Sequence, residues 1–313
     1  MVSEAAKKKV LVLGGTGFLG KHVMQLLLND ASIVATSLSR HEETDIRDAA
    51  HFEARLAEIM PDAIINCAAH VGSLHYVTTY AADVIRDNTL LLANMYEGVR
   101  KICPKALIIN PLSNCSYPGA ANTHYEPEWQ DGPVHASVLA YGSVKRLTYA
   151  FAESYKKQYD IASVNWLVAN AYGPGDYTDP NKVHALNGII IRLLQAKRAG
   201  DSTFEIWGTG SPLREWVYIE DVAHMMVHSL TIPEQVYPVN LAQNKAYSIK
   251  EIAEMAAHAL NYIPTFTFNT EKPDGAPIKI LDDRTFRAAY PDVAFTPLAE
   301  GIQKTVAYYE EIL

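Results

Sequence analysis

Short apolar runs alternate with longer amphipathic segments through the first half of the chain. Five runs have the length and β-branched content of buried parallel strands: residues 9–13, 32–38, 63–67, 106–109 and 161–168. Between them, apolar residues recur at helical spacing over 22–28, 80–100 and 139–159. This alternation predicts an α/β fold built on a doubly wound parallel sheet with right-handed crossovers.

A glycine-rich turn follows the first run. Residues 14–20 read Gly-Gly-Thr-Gly-Phe-Leu-Gly and lead directly into a helical segment. Glycines at this spacing allow a tight turn and the close approach of a pyrophosphate, to which the helix offers free N–H groups. We therefore predict a Rossmann sheet with a dinucleotide site at Gly14, Thr16, Gly17, Phe18, Leu19 and Gly20.

The residues after the second run favour NADP(H) as the cofactor. An NAD site has an acidic residue about twenty residues beyond the glycines, where it binds the ribose 2′-hydroxyl. Ser39 and Arg40 occupy that place, and a guanidinium suits a 2′-phosphate. The segment 45–48 begins with Asp45, and it either borders the adenine or caps a helix expected from Ala49.

Beyond residue 175 the pattern changes, because prolines and glycines become frequent and the segments shorten. Helices are predicted over 221–230, 248–260 and 302–312. We expect residues 1–172, rejoined by about 215–242, to form the dinucleotide-binding domain. Residues 173–214 and 243–313 are expected to form a smaller C-terminal α/β substrate-binding domain.

Tyr141 and Lys145 stand four residues apart in the helix predicted over 139–159, so their side chains share one face. An ammonium nearby favours the phenolate, and we expect it to lower the pKa of Tyr141 from its ordinary value of about 10. Such a phenol exchanges a proton with a carbonyl or alcohol oxygen. The alternative is an aromatic ring packed beside a solvated lysine.

Ser113 and Cys115 follow the fourth apolar run. Ligands of open α/β sheets bind at the carboxyl ends of strands, so Ser113 is placed to bind the same substrate oxygen as Tyr141. Cys115 points to the same side if the backbone stays extended. The alternative is a small buried apolar residue.

Composition narrows the functional class. The chain has 313 residues, a net charge of −8 and 20% charged residues, which argues against the basic face that non-specific nucleic-acid binding needs. Cys67, Cys103 and Cys115 form neither a disulfide framework nor a zinc motif, and we expect no metal. No apolar run reaches eighteen residues and the first nine lack a signal core, so we expect a cytoplasmic protein without membrane contact.

Together these motifs resemble the extended short-chain dehydrogenase/reductases that act on nucleotide sugars. The matching segments cover nearly the whole chain: 14–20, 66–70, 87–88, 113, 141–145, 170–174, 207–210 and 213–221. The likeness is greatest to a branch that epimerises a GDP-4-keto-6-deoxy sugar at C3 and C5 and reduces it at C4 with NADPH. It implies Tyr141 as acid, Lys145 as its partner, Ser113 as carbonyl ligand, and a homodimer formed through 80–100 and 139–159.

The resemblance assigns further residues. Cys115 would be the base and His184 the acid of epimerisation. Ala68, Ala69 and Val168 would line the dinucleotide. The predicted substrate contacts are Asn170, Trp207, Arg214 and Lys279. Four of these residues have an ordinary alternative: Trp207 as a core tryptophan, Asn170 as a turn cap, His184 as a loop histidine, and Arg214 in an ion pair with a neighbouring carboxylate.

Departures from the branch leave the substrate open. Ser73 stands where the branch has glycine, Ala185 to Asn187 replace Val-Ile-Pro, and Val168 replaces proline. A nucleotide-sugar 4-reductase without epimerisation and an NAD-dependent 4-epimerase remain alternatives. A dinucleotide-sensing scaffold without activity is a third.

Overall fold

Six parallel strands form the central sheet. The computed structural model describes residues 6–40, 44–121, 123–272 and 274–313. Their strands are β1 (Lys8–Leu13), β2 (Ile33–Leu38), β3 (Ala63–Asn66), β4 (Leu107–Ser113), β5 (Thr123–His124), β6 (Ser163–Val168), β7 (Asn170–Tyr172), β8 (Thr203–Trp207), β9 (Leu213–Tyr218), β10 (Gln235–Leu241), β11 (Ala246–Ser248), β12 (Thr265–Asn269) and β13 (Ile278–Leu281). The sheet order is β10-β6-β4-β3-β1-β2, and every neighbouring pair is parallel.

Helices cover both faces of this sheet, which confirms the predicted doubly wound fold. The helices are α1 (Phe18–Leu28), α2 (Ala49–Ile59), α3 (Leu74–Thr79), α4 (Ala81–Ile102), α5 (Leu139–Tyr159), α6 (Ala185–Ala199), α7 (Ile219–His228), α8 (Ile249–Ala259), α9 (Arg284–Ala289) and α10 (Leu298–Ile312). Side chains of a strand alternate between faces. Val10 and Val12 accordingly join the core under α1 and α7, whereas Leu11 and Leu13 join the core under α2, α4 and α5.

A second group of elements comes mainly from the chain after residue 172, together with β5 and β7. Strand β9 pairs with β7, β11 and β13, and β5 extends this sheet from β13. Strands β8 and β12 form a separate parallel pair. Helices α6, α8 and α10 pack over these strands in an apolar core of their own. The domain boundaries predicted from the sequence remain a prediction.

Strand β4 is longer than its apolar run, and the extension places Ser113 at the end of the sheet. In the sequence, the apolar run ends at Ile109, because Asn110 and Pro111 follow. Pairing with β3 ends at Ile109, so Pro111 lacks a partner strand on that side and its missing N–H breaks no ladder bond. Pairing with β6 continues to Ser113.

Polar side chains inside the sheet are paired with one another. The Asn110 amide donates to the Tyr96 hydroxyl at 3.0 Å and to Asn165 Oδ1 at 2.9 Å.

Helix α5 spans the residues for which a helix was predicted, whereas α6 was not predicted. In the part of the chain that the structure describes, no helix has the length and apolarity that crossing a membrane requires.

Candidate active site

The glycine turn between β1 and α1 has the geometry of a phosphate-binding loop. Gly14 has φ +74°, and a Cβ there would lie 2.8 Å from the Ala68 Cα. A Cβ at Gly20 would overlap the Gly14 carbonyl oxygen. Gly17 begins α1 without a side-chain cap, which leaves the first N–H groups of the helix for an anion. The turn therefore fits a dinucleotide pyrophosphate.

Other predicted cofactor residues surround this turn. Ala68 and Ala69 follow β3, and Val168 ends β6 opposite Ser113 of β4. Thr16 is exposed, while Phe18 and Leu19 are half-buried at the start of α1. All of these residues lie at or beyond the carboxyl ends of parallel strands, where the fold binds its ligands.

Arg40 is exposed just beyond β2, at the place expected for a 2′-phosphate ligand. The Arg47 guanidinium binds Asp45 and holds the pKa of that carboxyl below its ordinary value, with a smaller contribution from the charge of Arg40. Asp48, not Asp45, caps α2 by accepting from the His51 N–H. Whether Asp45 borders the adenine stays a prediction.

Tyr141 and Lys145 share one face of α5. The Lys145 Nζ lies 5.3 Å from the centre of the Tyr141 ring and donates to the Pro111 carbonyl at 2.8 Å. Burial lowers the pKa of Lys145 to about 8. Burial also raises the pKa of Tyr141, and the nearby Cys115 thiol raises it further. The expected lowering of the Tyr141 pKa is therefore wrong for this chain, because burial disfavours the charged phenolate.

The Cys115 side chain is placed by a turn and not by an extended strand. Residues Asn114–Ser116 form one 3-10 turn, and the Cys115 N–H donates to Ser113 Oγ at 3.2 Å. The sequence argument that assumed extended backbone from Ser113 to Cys115 is wrong. A Cβ at Gly142 would lie 2.5 Å from the Cys115 carbonyl oxygen, so glycine next to Tyr141 lets α5 approach this turn closely.

Two cations lie near the Cys115 thiol. The Lys279 Nζ is 3.8 Å from Cys115 Sγ, and Lys279 pairs with Arg214 across strands β13 and β9. Burial lowers the pKa of Arg214, while the charges of Cys115 and Asp274 oppose this effect. The Tyr141 phenol, the Lys145 ammonium and the Arg214 guanidinium therefore each lie within electrostatic reach of the Cys115 thiol.

The alternative of a surface ion pair for Arg214 is not what the structure shows. Its guanidinium donates to the carbonyls of Leu213 at 2.8 Å and Asp274 at 3.2 Å. The neighbouring Glu215 is buried and accepts backbone N–H groups of Gln243 and Leu281 instead. Backbone contacts thus fix the Arg214 side chain beside the Cys115 thiol.

His184 lies against Phe18 at the start of α1, next to the cofactor turn. Its Nδ1 is 3.0 Å from Asp176 Oδ1, its backbone N–H donates to Asp176 Oδ2 at 2.8 Å, and its ring centre lies 5.4 Å from that of Phe18. Burial acts to raise the pKa of Asp176, but the hydrogen bonds and charge of His184 outweigh it and the pKa is lowered. Asp176 was not predicted, because spacing alone does not show that two loop residues meet.

The last two predicted substrate residues are Asn170 and Trp207. The Asn170 amide donates to the Glu215 carbonyl at 2.7 Å, so it joins β7 to β9. Trp207 is 56% exposed, which excludes the core alternative, and the Arg192 guanidinium carbon lies 4.6 Å from its ring centre. Their roles toward a substrate stay predictions.

His124 lies in the wall beside Cys115 and was also not predicted. It is buried, and its ring stacks on Tyr117 with centroids 4.2 Å apart. Burial lowers the pKa of His124 to about 3, and the charges of Lys279 and Arg214 act in the same direction. The folded chain therefore holds His124 neutral at a pH where the unfolded chain protonates it.

We expect His124 to make the fold acid-sensitive. The unfolded chain gains a proton below about 6.5 while the folded chain does not, so the free energy of unfolding falls as pH decreases from 6.5 toward 3. The loss is about 2 kcal/mol by pH 5. Urea unfolding at pH 7 and pH 5 should show a smaller loss for His124→Phe. His51→Gln, at an exposed histidine, should lose as much as the unmodified chain, and an equal loss in His124→Phe would contradict this account.

Among the residues that the structure describes, no group of three or more His, Cys, Asp or Glu side chains is placed to hold a metal ion. The groups that the site offers are the phenol and ammonium of Tyr141 and Lys145 on α5, the Cys115 thiol, the His184 imidazole, the Arg214 guanidinium and the Lys279 ammonium. These groups surround the end of the sheet beside a turn that fits a pyrophosphate. The arrangement suits hydride and proton transfer to a phosphorylated substrate.

Comparison with known proteins agrees with this geometry. Residues 10–242 match the model of the NAD dependent epimerase/dehydratase family. A probable GDP-L-fucose synthase of Drosophila melanogaster is 30% identical over 97% of this chain and 98% of its own length. The GDP-L-fucose synthase of Escherichia coli K12 is 25% identical over 88% of this chain and 89% of its own.

Solved structures give the same result. A GDP-L-fucose synthetase from Naegleria fowleri bound to NADP superposes with a TM-score of 0.87 and 25% identity, covering 98% of this chain and 94% of that one. A UDP-glucose 4-epimerase from Thermus thermophilus has a TM-score of 0.81 at 20% identity, over 97% of this chain and all of the other, and it shows the fold alone. This chain therefore belongs to the NAD dependent epimerase/dehydratase family, as an extended short-chain dehydrogenase/reductase enzyme of the nucleotide-sugar type.

Proposed function

We propose that this enzyme uses NADPH to convert a GDP-4-keto-6-deoxy sugar into its epimerised, C4-reduced product, as the names of its GDP-L-fucose synthase relatives suggest. The observation that carries the proposal is the Cys115 thiol, which lies beside Lys279 at 3.8 Å and within electrostatic reach of Tyr141 and Lys145. Reduction of a ketone needs no thiol, whereas removal of a proton beside the ketone needs a base. A thiol in the reductase site therefore favours epimerisation together with reduction.

The cofactor site is formed by residues from the turn, β2, β3 and β6. The backbone of Gly14 to Gly20 takes the pyrophosphate, Ala68, Ala69 and Val168 line the dinucleotide, and Arg40 takes the 2′-phosphate. The NADP-bound Naegleria structure supports this choice over NAD. Bound NADPH supplies a hydride to C4 of the sugar.

Tyr141 and Ser113 act on the sugar ketone during reduction. The raised pKa of Tyr141 keeps its proton in place until negative charge develops on the ketone oxygen, to which the phenol then gives it. Ser113 binds the same oxygen and orients it. Lys145 has two N–H groups left after its bond to Pro111, and these bind the nicotinamide ribose.

Cys115 and His184 act on the carbons beside the ketone. Cys115 Sγ takes the proton from C3 or C5, and the electron pair delocalises into the carbonyl. His184 gives a proton to the opposite face of the same carbon, which inverts it. Lys279 lies where its charge attracts the negative charge of the sulfur.

Arg214, Trp207 and Asn170 complete the substrate site. The Arg214 guanidinium binds diphosphate oxygens in a fork, and the exposed Trp207 ring stacks on the nucleotide base. Asn170 carries its second amide N–H and carbonyl oxygen toward the substrate while it holds β9. The departures at Ser73 and at 185–187 are the positions expected to alter preference for the sugar.

Incubation with GDP-4-keto-6-deoxymannose in deuterated water, with and without NADPH, tests the proposal. Product deuterated at C3 and C5 and reduced at C4 supports it. A reduced product without deuterium identifies a plain 4-reductase. Interconversion at C4 without net NADPH consumption identifies a 4-epimerase, and no turnover of any kind supports a dinucleotide-sensing protein.

The pKa of Lys145 sets an upper pH limit for reduction. Lys145 loses its proton as pH rises through about 8, so kcat/KM for NADPH-dependent reduction should fall above this pH, by about tenfold per unit. Tyr141 stays protonated there and does not contribute. Lys145→Arg should be slower at pH 7 but should lose this decline, because a guanidinium stays charged. The same decline in the variant would assign the limit to another group.

We also propose a homodimer formed through α4 and α5. Exposed apolar side chains on these helices include Ile85, Leu90, Leu139 and Tyr159. Sedimentation equilibrium should give twice 34.6 kDa, and Leu90→Arg should give the monomer because a charge replaces an apolar contact. Leu28→Arg, at an exposed leucine of α1, should remain dimeric. A monomeric unmodified chain would contradict the proposal.

A further inference from the structure

The loop before α6 holds a buried carboxylate, Asp176. The Asp176 side chain is fully buried, although a buried carboxylate is costly unless its oxygens are hydrogen-bonded. Four donors meet it: the Tyr177 N–H at 2.8 Å, the Asn187 amide at 2.9 Å, and the backbone N–H and ring of His184. The fold therefore fixes Asp176 and presents it to the His184 imidazole.

Helix α1 holds the same loop from the cofactor side. The Lys21 Nζ donates to the Gly175 carbonyl at 2.7 Å, and His22 Nε2 lies 2.9 Å from the Pro174 carbonyl. The Phe18 ring packs on the imidazole of His184. The His184 imidazole is thus held between the Phe18 ring on one side and the Asp176 carboxylate at Nδ1.

An imidazole has two ring nitrogens. When a carboxylate binds one of them, the other nitrogen is left to contact a substrate. Asp176 occupies Nδ1, so only Nε2 remains to meet a substrate. We propose that Asp176 is the positioning residue of the epimerisation acid: it keeps the Nδ1 proton of His184 in place, aims Nε2 at the sugar and balances the positive charge of the ring before the proton is given.

This inference rests on the proposed function, in which His184 is the acid. The proton leaves Nε2 for the sugar carbon, the Nδ1 proton stays in its bond to Asp176, and the ring becomes neutral. The Nδ1–H tautomer is therefore the expected neutral form of His184. Solvent replaces the Nε2 proton afterwards, so that deuterated water labels the inverted carbon.

The first measurement needs neither substrate nor catalysis. Nitrogen-15 NMR of the histidine-labelled full chain, with His184 assigned by comparison with His184→Asn, should show the neutral ring with its proton on Nδ1. In Asp176→Asn that preference should be lost, whereas Asp179→Asn, which removes an exposed carboxylate of the same loop, should leave it unchanged. A neutral His184 with its proton on Nε2 in the unmodified chain overturns the inference even if Asp176→Asn does not fold.

The second measurement is a double-mutant cycle on deuterium incorporation at C3 and C5. Asp176→Asn should slow incorporation about a hundredfold or more while the Kd for NADPH stays within about twofold. In the His184→Asn background the same change should have no further effect, because Asp176 acts through His184. A further loss in that background, or incorporation unaffected by Asp176→Asn, overturns the inference. Incorporation unaffected by His184→Asn overturns the assignment of the acid itself, and the NMR result then still reports whether Asp176 sets the ring.

Discussion

Tyr141→Phe should reduce NADPH-dependent turnover by about 10³-fold or more. The substitution removes one oxygen from a residue on α5 and leaves the ring that packs against the cluster of Val77, Val84 and Ala140. As the hydride adds to C4, negative charge develops on the ketone oxygen. Without the phenol, no proton donor is in contact with that oxygen. Loss of a general acid costs about 10² to 10⁴ in rate, and we expect the upper part of that range because Lys145 cannot replace the phenol from its position at Pro111.

The measurement is the initial rate of NADPH oxidation with GDP-4-keto-6-deoxymannose, together with the Kd for NADPH from cofactor fluorescence. The affinity should change by less than about twofold, because the dinucleotide is held by the glycine turn and Lys145. Tyr149→Phe offers a matched control on the same helix, where the ring packs on Trp129 and Tyr237 away from Cys115. A Tyr141→Phe enzyme that keeps a tenth of the rate would remove the acid from this mechanism.

Cys115→Ser should separate epimerisation from reduction. A serine hydroxyl is a far weaker base than a thiolate, so deuterium incorporation at C3 and C5 should fall by about 10³-fold. The hydride path through Ser113, Tyr141 and Lys145 remains, so NADPH oxidation continues at a reduced rate. The product should then keep the C3 and C5 configuration of the substrate.

Mass spectrometry and proton NMR of the product, made in deuterated water, measure both outcomes in one sample. Cys103→Ser is the matched control, since Cys103 is a buried thiol at the end of α4 that belongs to the core under α2, α4 and α5. It should change stability but not the labelling pattern. Full labelling by Cys115→Ser would show that another residue is the base, and a complete loss of reduction would show that Cys115 has a role in the hydride step.

Much of the cofactor half of the site could be predicted from the sequence because its determinants are local. Gly14 turns the chain through its own positive φ angle and Gly20 packs on the Gly14 carbonyl oxygen within the same segment. Tyr141 and Lys145 meet because they are four residues apart on α5. The parallel, doubly wound sheet follows from the alternation of strands and helices and the handedness of crossovers. Local rules of this kind hold whatever the rest of the chain does.

Other features needed contacts between distant segments. Asp176 and His184 lie eight residues apart in a loop, where no periodic spacing predicts that they meet, and Lys279 reaches Cys115 across 164 residues of sequence. The Tyr141 pKa was predicted in the wrong direction because spacing shows the neighbouring ammonium but not the burial of the phenol. The extension of β4 to Ser113 was not predicted, because Asn110 and Pro111 interrupt the apolar run. The strand accommodates Pro111 because pairing with β3 has already ended at Ile109.

The sequence by itself determined the doubly wound sheet, the dinucleotide turn, the Tyr141 and Lys145 pair and the family. The tertiary structure alone decided which charges surround the Cys115 thiol, which nitrogen of His184 remains available and how strongly each ionisable group holds its proton. The physical reason is that backbone conformation and side-chain spacing are set over a few residues. Desolvation and electrostatic attraction depend instead on every group that folding brings within a few ångströms.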